Sequence, residues 1–173
     1  MVKIQLQARQ ISDSKVLNAM RAVPRHMFVP LEYRDNAYED TPLPIGYGQT
    51  ISQPYIVGLT TELLQVQPEG KYLEIGTGSG YQAAILAALG ASVYTIEIIP
   101  EPGERASKVI NELGYKKVYY RIGDGYYGWK EESPFDGIIV TAALDHIPKA
   151  LLEQLSDQGK LVMPIGDPGS IQT

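Results

Sequence analysis

The chain has no cysteine, which excludes disulfides, thiolate catalysis and cysteine-ligated metals at once. Its longest apolar run, from Ala83 to Leu89, falls far short of a bilayer span. The opening Met1–Arg9 has neither the apolar core nor the small-residue cleavage site of a secretion signal. Histidine is nearly as scarce, with two copies at His26 and His146, too distant in sequence to suggest a metal pair. Basic residues are outnumbered 15 to 20, for a net charge of −5. This argues against a nucleic-acid binder, which needs a basic face. These absences predict a soluble, cytoplasmic protein with no metal, membrane or nucleic-acid partner.

What remains is ordinary for a globular domain: 173 residues, 44% hydrophobic and 20% charged, enough to bury a real core. With no internal repeat or low-complexity tract, one domain over 1–173 is the simplest reading. Residues 1–70 form an N-terminal part of short helices and irregular cover. Asp13 can cap a helix carrying Val16, Leu17, Met20 and Val23 at helical spacing, ended by Pro24. The stretch from Pro24 to Pro54, rich in proline, glycine and tyrosine, shows no clean period and predicts irregular structure. A helix follows from Pro54 to Leu64, with proline at its first turn.

From Lys71 to the end, strand and helix patterns alternate. Strands are predicted over Tyr72–Ile75, Ser92–Ile96, Lys117–Ile122, Asp136–Thr141 and Lys160–Ile165. Helices are predicted over Tyr81–Leu89, Glu104–Leu113 and Pro148–Leu155. The pattern implies an α/β fold, a doubly wound and mostly parallel sheet with helices on both faces. In such sheets ligands sit at the carboxyl ends of the strands.

Three motifs fall there. Glu74-Ile-Gly76-Thr77-Gly78-Ser-Gly80 joins the first strand to its helix, and its glycines suit a tight turn that a ligand can approach closely. A dinucleotide fingerprint would need glycine or alanine at position 81; tyrosine stands there. A methionine ammonium, by contrast, wants a carboxylate nearby, as Glu74 offers. Glu97 ends the second strand, about 20 residues on, where an acidic side chain accepts from ribose hydroxyls. Gly123-Asp124-Gly125 follows the third strand, and Asp124 is suited to accept from an adenine amine, although the tripeptide alone is equally a plain turn. The G-x-G-x-G spacing after an acidic residue resembles class I methyltransferases, whose cofactor is S-adenosyl-L-methionine.

Further segments resemble one family in particular, the protein-L-isoaspartate O-methyltransferases. They are Arg25-His-Met-Phe-Val-Pro30, Gly48-Gln-Thr50-Ile51-Ser52-Gln53-Pro54, Leu73–Gln82, Ile122–Gly125, Asp136–Ala143 and Gly159–Gly166. The resemblance runs from Val2 to Gly166. It implies methyl transfer to the α-carboxylate of L-isoaspartyl residues in damaged proteins, leading to repair through a succinimide. It also implies that Ser52 is the active-site residue and that Thr50, Ile51 and Gln53 bind substrate. Glu74, Gly76, Thr77, Gly78, Gly80, Glu97, Asp124 and Gly125 would hold the cofactor, and isoaspartyl-containing proteins and peptides would be the partners. By local pattern alone Ser52 reads as a helix N-cap before Pro54.

The pattern departs from the family at Pro102-Gly103, which puts the start of the second core helix in doubt. It also departs at the C-terminus, where a final strand of the family is apparently missing after a turn at Gly166–Gly169. Two rivals stand beside the leading reading. One is a class I methyltransferase with another acceptor; the other is an incomplete cofactor-binding domain with little turnover.

Overall fold

The computed structural model describes residues 1–142 and 146–165. Short helical turns over Val2–Leu6 and Gln7–Arg9 lead to helix α1 (Ser14–Ala22). As the sequence predicts, Asp13 caps α1, accepting from the backbone N–H of Lys15 at 2.7 Å and of Val16 at 3.4 Å. The buried face of α1 carries Val16, Leu17, Ala19 and Met20.

The segment expected to be irregular contains ordered pieces. Single helical turns at Arg25–Phe28 and Leu31–Asn36 precede an antiparallel hairpin of β1 (Leu43–Gly46) and β2 (Gln49–Ile51). The alternation Leu43, Ile45 and Ile51 inward is real, but each strand is too short to show a period. Helix α2 (Pro54–Leu64) has the predicted bounds, with Pro54 in its first turn.

The remaining elements are β3 (Lys71–Ile75), α3 (Tyr81–Ala88), β4 (Ser92–Glu97), α4 (Pro100–Glu112), β5 (Val118–Ile122), β6 (Phe135–Val140), α5 (Lys149–Glu153) and β7 (Leu155–Val162). The five strands β3 to β7 form one sheet in the order β5-β4-β3-β6-β7, with every neighbouring pair parallel. Because β3 is central, the chain winds outward through β4 and β5 and then crosses back to β6. That reversal opens a crevice at the carboxyl ends of β3, β4 and β6. The central strands are buried on both faces, with Leu73, Val93, Ile96, Ile138 and Ile139 almost wholly covered.

Two elements move by more than two residues. Helix α4 starts at Pro100 rather than Glu104 and runs through Pro102-Gly103. Both prolines lie in the first turn, whose N–H groups have no helical partner, so proline there forfeits no hydrogen bond. Gly103 has its own reason: a Cβ would stand 3.1 Å from Ile122 Cδ1 and 3.4 Å from Glu97 Cβ. Strand β7 runs Leu155–Val162 instead of Lys160–Ile165. Its Asp157-Gln158-Gly159 reads locally as a turn, but it lies in a pairing that bulges opposite Phe135–Gly137. Gly159 is required there, since a Cβ would meet the Phe135 carbonyl at 2.9 Å. The turn expected at Gly166–Gly169 lies outside the described residues.

Candidate active site

The glycine turn is held by the strand beside it. Gly76, Gly78 and Gly80 have φ of +92°, +51° and +84°, a region that residues with a Cβ avoid. Gly76 and Thr77 donate their N–H groups to the Ile96 carbonyl at 2.9 and 3.2 Å. Gly78 donates to Glu97 Oε2 at 2.8 Å. A Cβ on Gly76 would sit 2.5 Å from Thr141 Oγ1, and one on Gly80 would sit 2.8 Å from Ala106 Cβ of α4. The first glycine thus admits β6, the third admits a helix, and the middle one faces open space apart from Ile45 Cδ1 at 3.8 Å.

Glu97, only 2% exposed, fixes the end of β4. Its Oε1 accepts from the N–H groups of Ile98 and Ile99 and from Gln49 Nε2, each at 3.0 Å. A carboxylate therefore already takes the Gly78 N–H of the glycine turn, and it would repel a pyrophosphate there. Beside it lies a cavity of about 370 Å³, bounded by Gly76, Glu97, Asp124, Gly125 and Tyr126, with apolar walls from Ile75, Ile96, Ile98, Val140 and Leu151. Asp124 is exposed at its rim, its Oδ1 accepting the Tyr126 N–H at 2.9 Å. At Gly125 a Cβ would run into Ile75 Cγ2, so the turn after β5 must be glycine to close this wall. Apolar faces for a flat base, with acidic acceptors at two points of the margin, match an adenosine.

Tyr81 is 1% exposed, its ring edge-on to Phe28 at 5.5 Å and its hydroxyl against Met20 Sδ at 3.8 Å. The position that a dinucleotide site would need small is used here to anchor the N-terminal helices.

Glu74 lies beneath the turn and is wholly buried. Thr77 Oγ1 contacts Thr95 Oγ1 at 2.6 Å, and Thr95 donates to Glu74 Oε2 at 2.5 Å. Glu74 Oε1 has no hydrogen-bond partner. Burial pushes its carboxyl up to about 8, with the charge of Glu97 adding and the Thr95 bond opposing. A buried acceptor with one oxygen unsatisfied is what an ammonium group would complete. It borders a small cavity shared with Thr50, Ile51, Ser52, Thr77, Gly78, Gln82 and Thr141.

Thr50, Ser52, Gln82 and Thr141 also line a third cavity of about 530 Å³, open along α2 past Ile56, Leu59 and Leu63. Ser52 does not cap α2; Gln53 holds the N-cap position, and no side chain of its own caps the helix. Of the expected substrate residues, Thr50 is exposed beside Ser52, whereas Ile51 is 2% exposed and packed in the core. Gln53 borders the groove, but its Nε2 donates to Asp40 O and Oδ2, both at 2.9 Å. Sequence reasoning missed Gln49, Gln82 and Thr141, which face the same crevice. Thr141 directly follows β6, beside Gly76, and donates to the carbonyls of Ile75 and Gly76 at 3.0 and 2.7 Å. Its position just past a strand end was the one available signal. His26 and His146 pair with tyrosine hydroxyls, of Tyr38 at 2.7 Å and Tyr126 at 3.0 Å. Among the described residues no group of three or more acidic, histidine or cysteine side chains is arranged for a metal.

A parallel sheet with a G-x-G-x-G turn, an acidic strand end and a nucleoside-sized crevice defines the class I methyltransferase architecture. The family model of protein-L-isoaspartate(D-aspartate) O-methyltransferase matches residues 1–173. A protein-L-isoaspartate O-methyltransferase 2 of Shewanella sediminis is 56% identical over 99% of this chain and 70% of its own length. A Dictyoglomus turgidum protein-L-isoaspartate O-methyltransferase is 61% identical over 90% of this chain and 71% of its own. A solved protein-L-isoaspartate O-methyltransferase superposes with a TM-score of 0.84 at 32% identity, over 95% of this chain and 55% of that one. A Plasmodium falciparum structure of this type, in complex with S-adenosyl-L-homocysteine, gives 0.83 at 26% identity over 99% and 85%. The chain belongs to the protein-L-isoaspartate(D-aspartate) O-methyltransferase family, whose methyl donor is S-adenosylmethionine.

Proposed function

We propose that this chain methylates the α-carboxylate of L-isoaspartyl residues in damaged proteins and peptides, starting their repair through a succinimide. The observation that carries the reading is the position of Ser52. It borders both the small cavity beside the glycine turn and the larger groove along α2, so one hydroxyl reaches the cofactor side and the acceptor side.

S-adenosylmethionine, when bound, supplies an electrophilic methyl group on a cationic sulfur. The acceptor carboxylate is already ionised at neutral pH, with a reference pKa of about 3.5–4, and needs no general base. The task left to the protein is placement. Ser52 donates one hydrogen bond to the carboxylate, orienting an oxygen lone pair without quenching it. Glu97 and Asp124 hold the nucleoside, and Glu74 takes the ammonium end. With the acceptor seated over it, the apolar lining by Ile56, Val57 and Leu59 keeps water from the reacting groups, which favours a reaction in which opposite charges neutralise each other.

The reading extends to a cytoplasmic location, consistent with the finding that no described helix is long and apolar enough to cross a membrane. The test is radiolabelled methyl transfer to an isoaspartyl peptide beside its normal aspartyl counterpart. Label on the isoaspartyl peptide alone is expected; equal labelling, or none with cofactor bound, would sink the proposal.

A further inference from the structure

Gln49 opens β2 and borders the nucleoside cavity. Its Nε2 donates to Glu97 Oε1 at 3.0 Å, while its own Oε1 is buried without a hydrogen-bond partner. An amide with one end made and the other buried and open is unfavourable unless a donor arrives. Among the described residues this is the one hydrogen bond tying the Leu43–Ile51 hairpin to the sheet. The loop of that hairpin, Gly46, Tyr47 and Gly48, has φ of +94°, +55° and +72°, and Tyr47 is largely exposed.

The acceptor count at Glu97 gives the amide a role. Each carboxylate oxygen has about two lone-pair sites. Glu97 Oε1 already receives three N–H donors, whereas Oε2 receives only Gly78. One ribose hydroxyl can therefore be taken at Oε2, and the other needs a different acceptor. Gln49 Oε1 is buried and unpartnered, in a residue that lines the same cavity.

We infer that Gln49 is a specificity residue for the ribose: its amide oxygen accepts one hydroxyl of the diol while its NH2 holds Glu97 for the other. Because β2 passes directly into Ser52, filling the nucleoside pocket also fixes the hairpin and the serine beside the acceptor. This rests on the proposed use of an S-adenosyl cofactor.

Calorimetry with S-adenosylhomocysteine and its 2′-deoxy and 3′-deoxy analogues, on wild type and Gln49→Leu, tests it. The variant should bind the parent ligand about tenfold more weakly, the scale of one hydrogen bond beside a charge. For one deoxy analogue the two proteins should bind alike, because the hydroxyl that Gln49 reads is missing. Hydrogen exchange over residues 43–51 should slow with ligand in wild type and not in Gln49→Leu. Equal loss for all three ligands would mean a merely structural role and would overturn the inference, as would unchanged affinity in the variant. Gln49→Glu, which sets a second carboxylate against Glu97, is a further arm that should bind more weakly still; wild-type affinity there also overturns it. Failure of the wild type to bind S-adenosylhomocysteine would instead overturn the cofactor reading, and this inference with it.

Discussion

Asp40 caps the helix that follows Ser52, across 15 residues of chain: its Oδ1 accepts the Tyr55 N–H at 3.0 Å and its Oδ2 accepts Gln53 Nε2 at 2.9 Å. Arg9 Nη1 reaches the same Oδ2 at 2.9 Å, with its guanidinium 3.4 Å from the centre of the Tyr55 ring. The cap that the local sequence assigns to Ser52 is thus supplied from another part of the chain, and the serine hydroxyl is released from that duty.

Asp40→Ala should therefore destabilise the protein by about 1–2 kcal/mol, the range for a lost helix cap. It should also lower turnover, because Gln53 and the start of α2 lose their anchor. Thermal melting and the methyl-transfer assay on one preparation check this. An unchanged melting temperature would refute the capping role.

Ser52→Ala has the opposite signature. Stability should shift by no more than about 0.5 kcal/mol, as for a surface change that removes no cap. Turnover should fall about tenfold, the scale of one hydrogen bond to a charged group, and affinity for S-adenosylhomocysteine should stay near wild type. Full activity in a well-folded Ser52→Ala would remove the serine from the site.

The glycines of the turn should separate by role. Gly80→Ala meets Ala106 at 2.8 Å at a φ of +84°, so a stability loss of about 2 kcal/mol is expected from strain and overpacking. Gly78→Val is also strained, at a φ of +51°, but its Cβ would meet nothing closer than Ile45 Cδ1 at 3.8 Å, so its distinguishing effect should be lost ligand binding beside Thr77. Denaturant melts and S-adenosylhomocysteine titration of the two variants distinguish the cases. Equal ligand affinity in wild type and Gly78→Val would contradict the assignment of the turn.

Glu74 makes the ligand-free protein sensitive to pH. Its carboxyl is raised to about 8 by burial and by Glu97, so the fold favours the neutral acid. That contribution is fully present below the unfolded-state pKa of about 4.3 and is lost as pH rises through about 8. The melting temperature of wild type should accordingly fall from pH 5 to 8.5 more steeply than that of Glu74→Gln, which keeps an acceptor for Thr95 but cannot ionise. Parallel profiles for the two proteins would show that Glu74 does not titrate in this window.

Much of the fold is determined locally and could be read in the chain. Asp13 before an amphipathic run, Pro54 opening a helix, and Gly76, Gly78 and Gly80 after an apolar strand act through their own backbone geometry, which short-range order reports faithfully. The three motifs Glu74–Gly80, Glu97 and Asp124-Gly125 end successive parallel strands, so the sheet must bring them to one edge. Other features were decided only by tertiary contact. Gly103 and Gly159 look like breaks in their elements because the reason for each, Ile122 and Glu97 in one case and the Phe135 carbonyl in the other, lies in a different element. Asp40 displaces Ser52 as cap through a hydrogen bond that no local rule anticipates. Gln49 meets Glu97 across 48 residues, and that meeting alone turns a glutamine in a short strand into part of the nucleoside wall. Hydrogen bonds between distant segments depend on where the sheet and helices finally pack, and spacing along one chain does not carry that information.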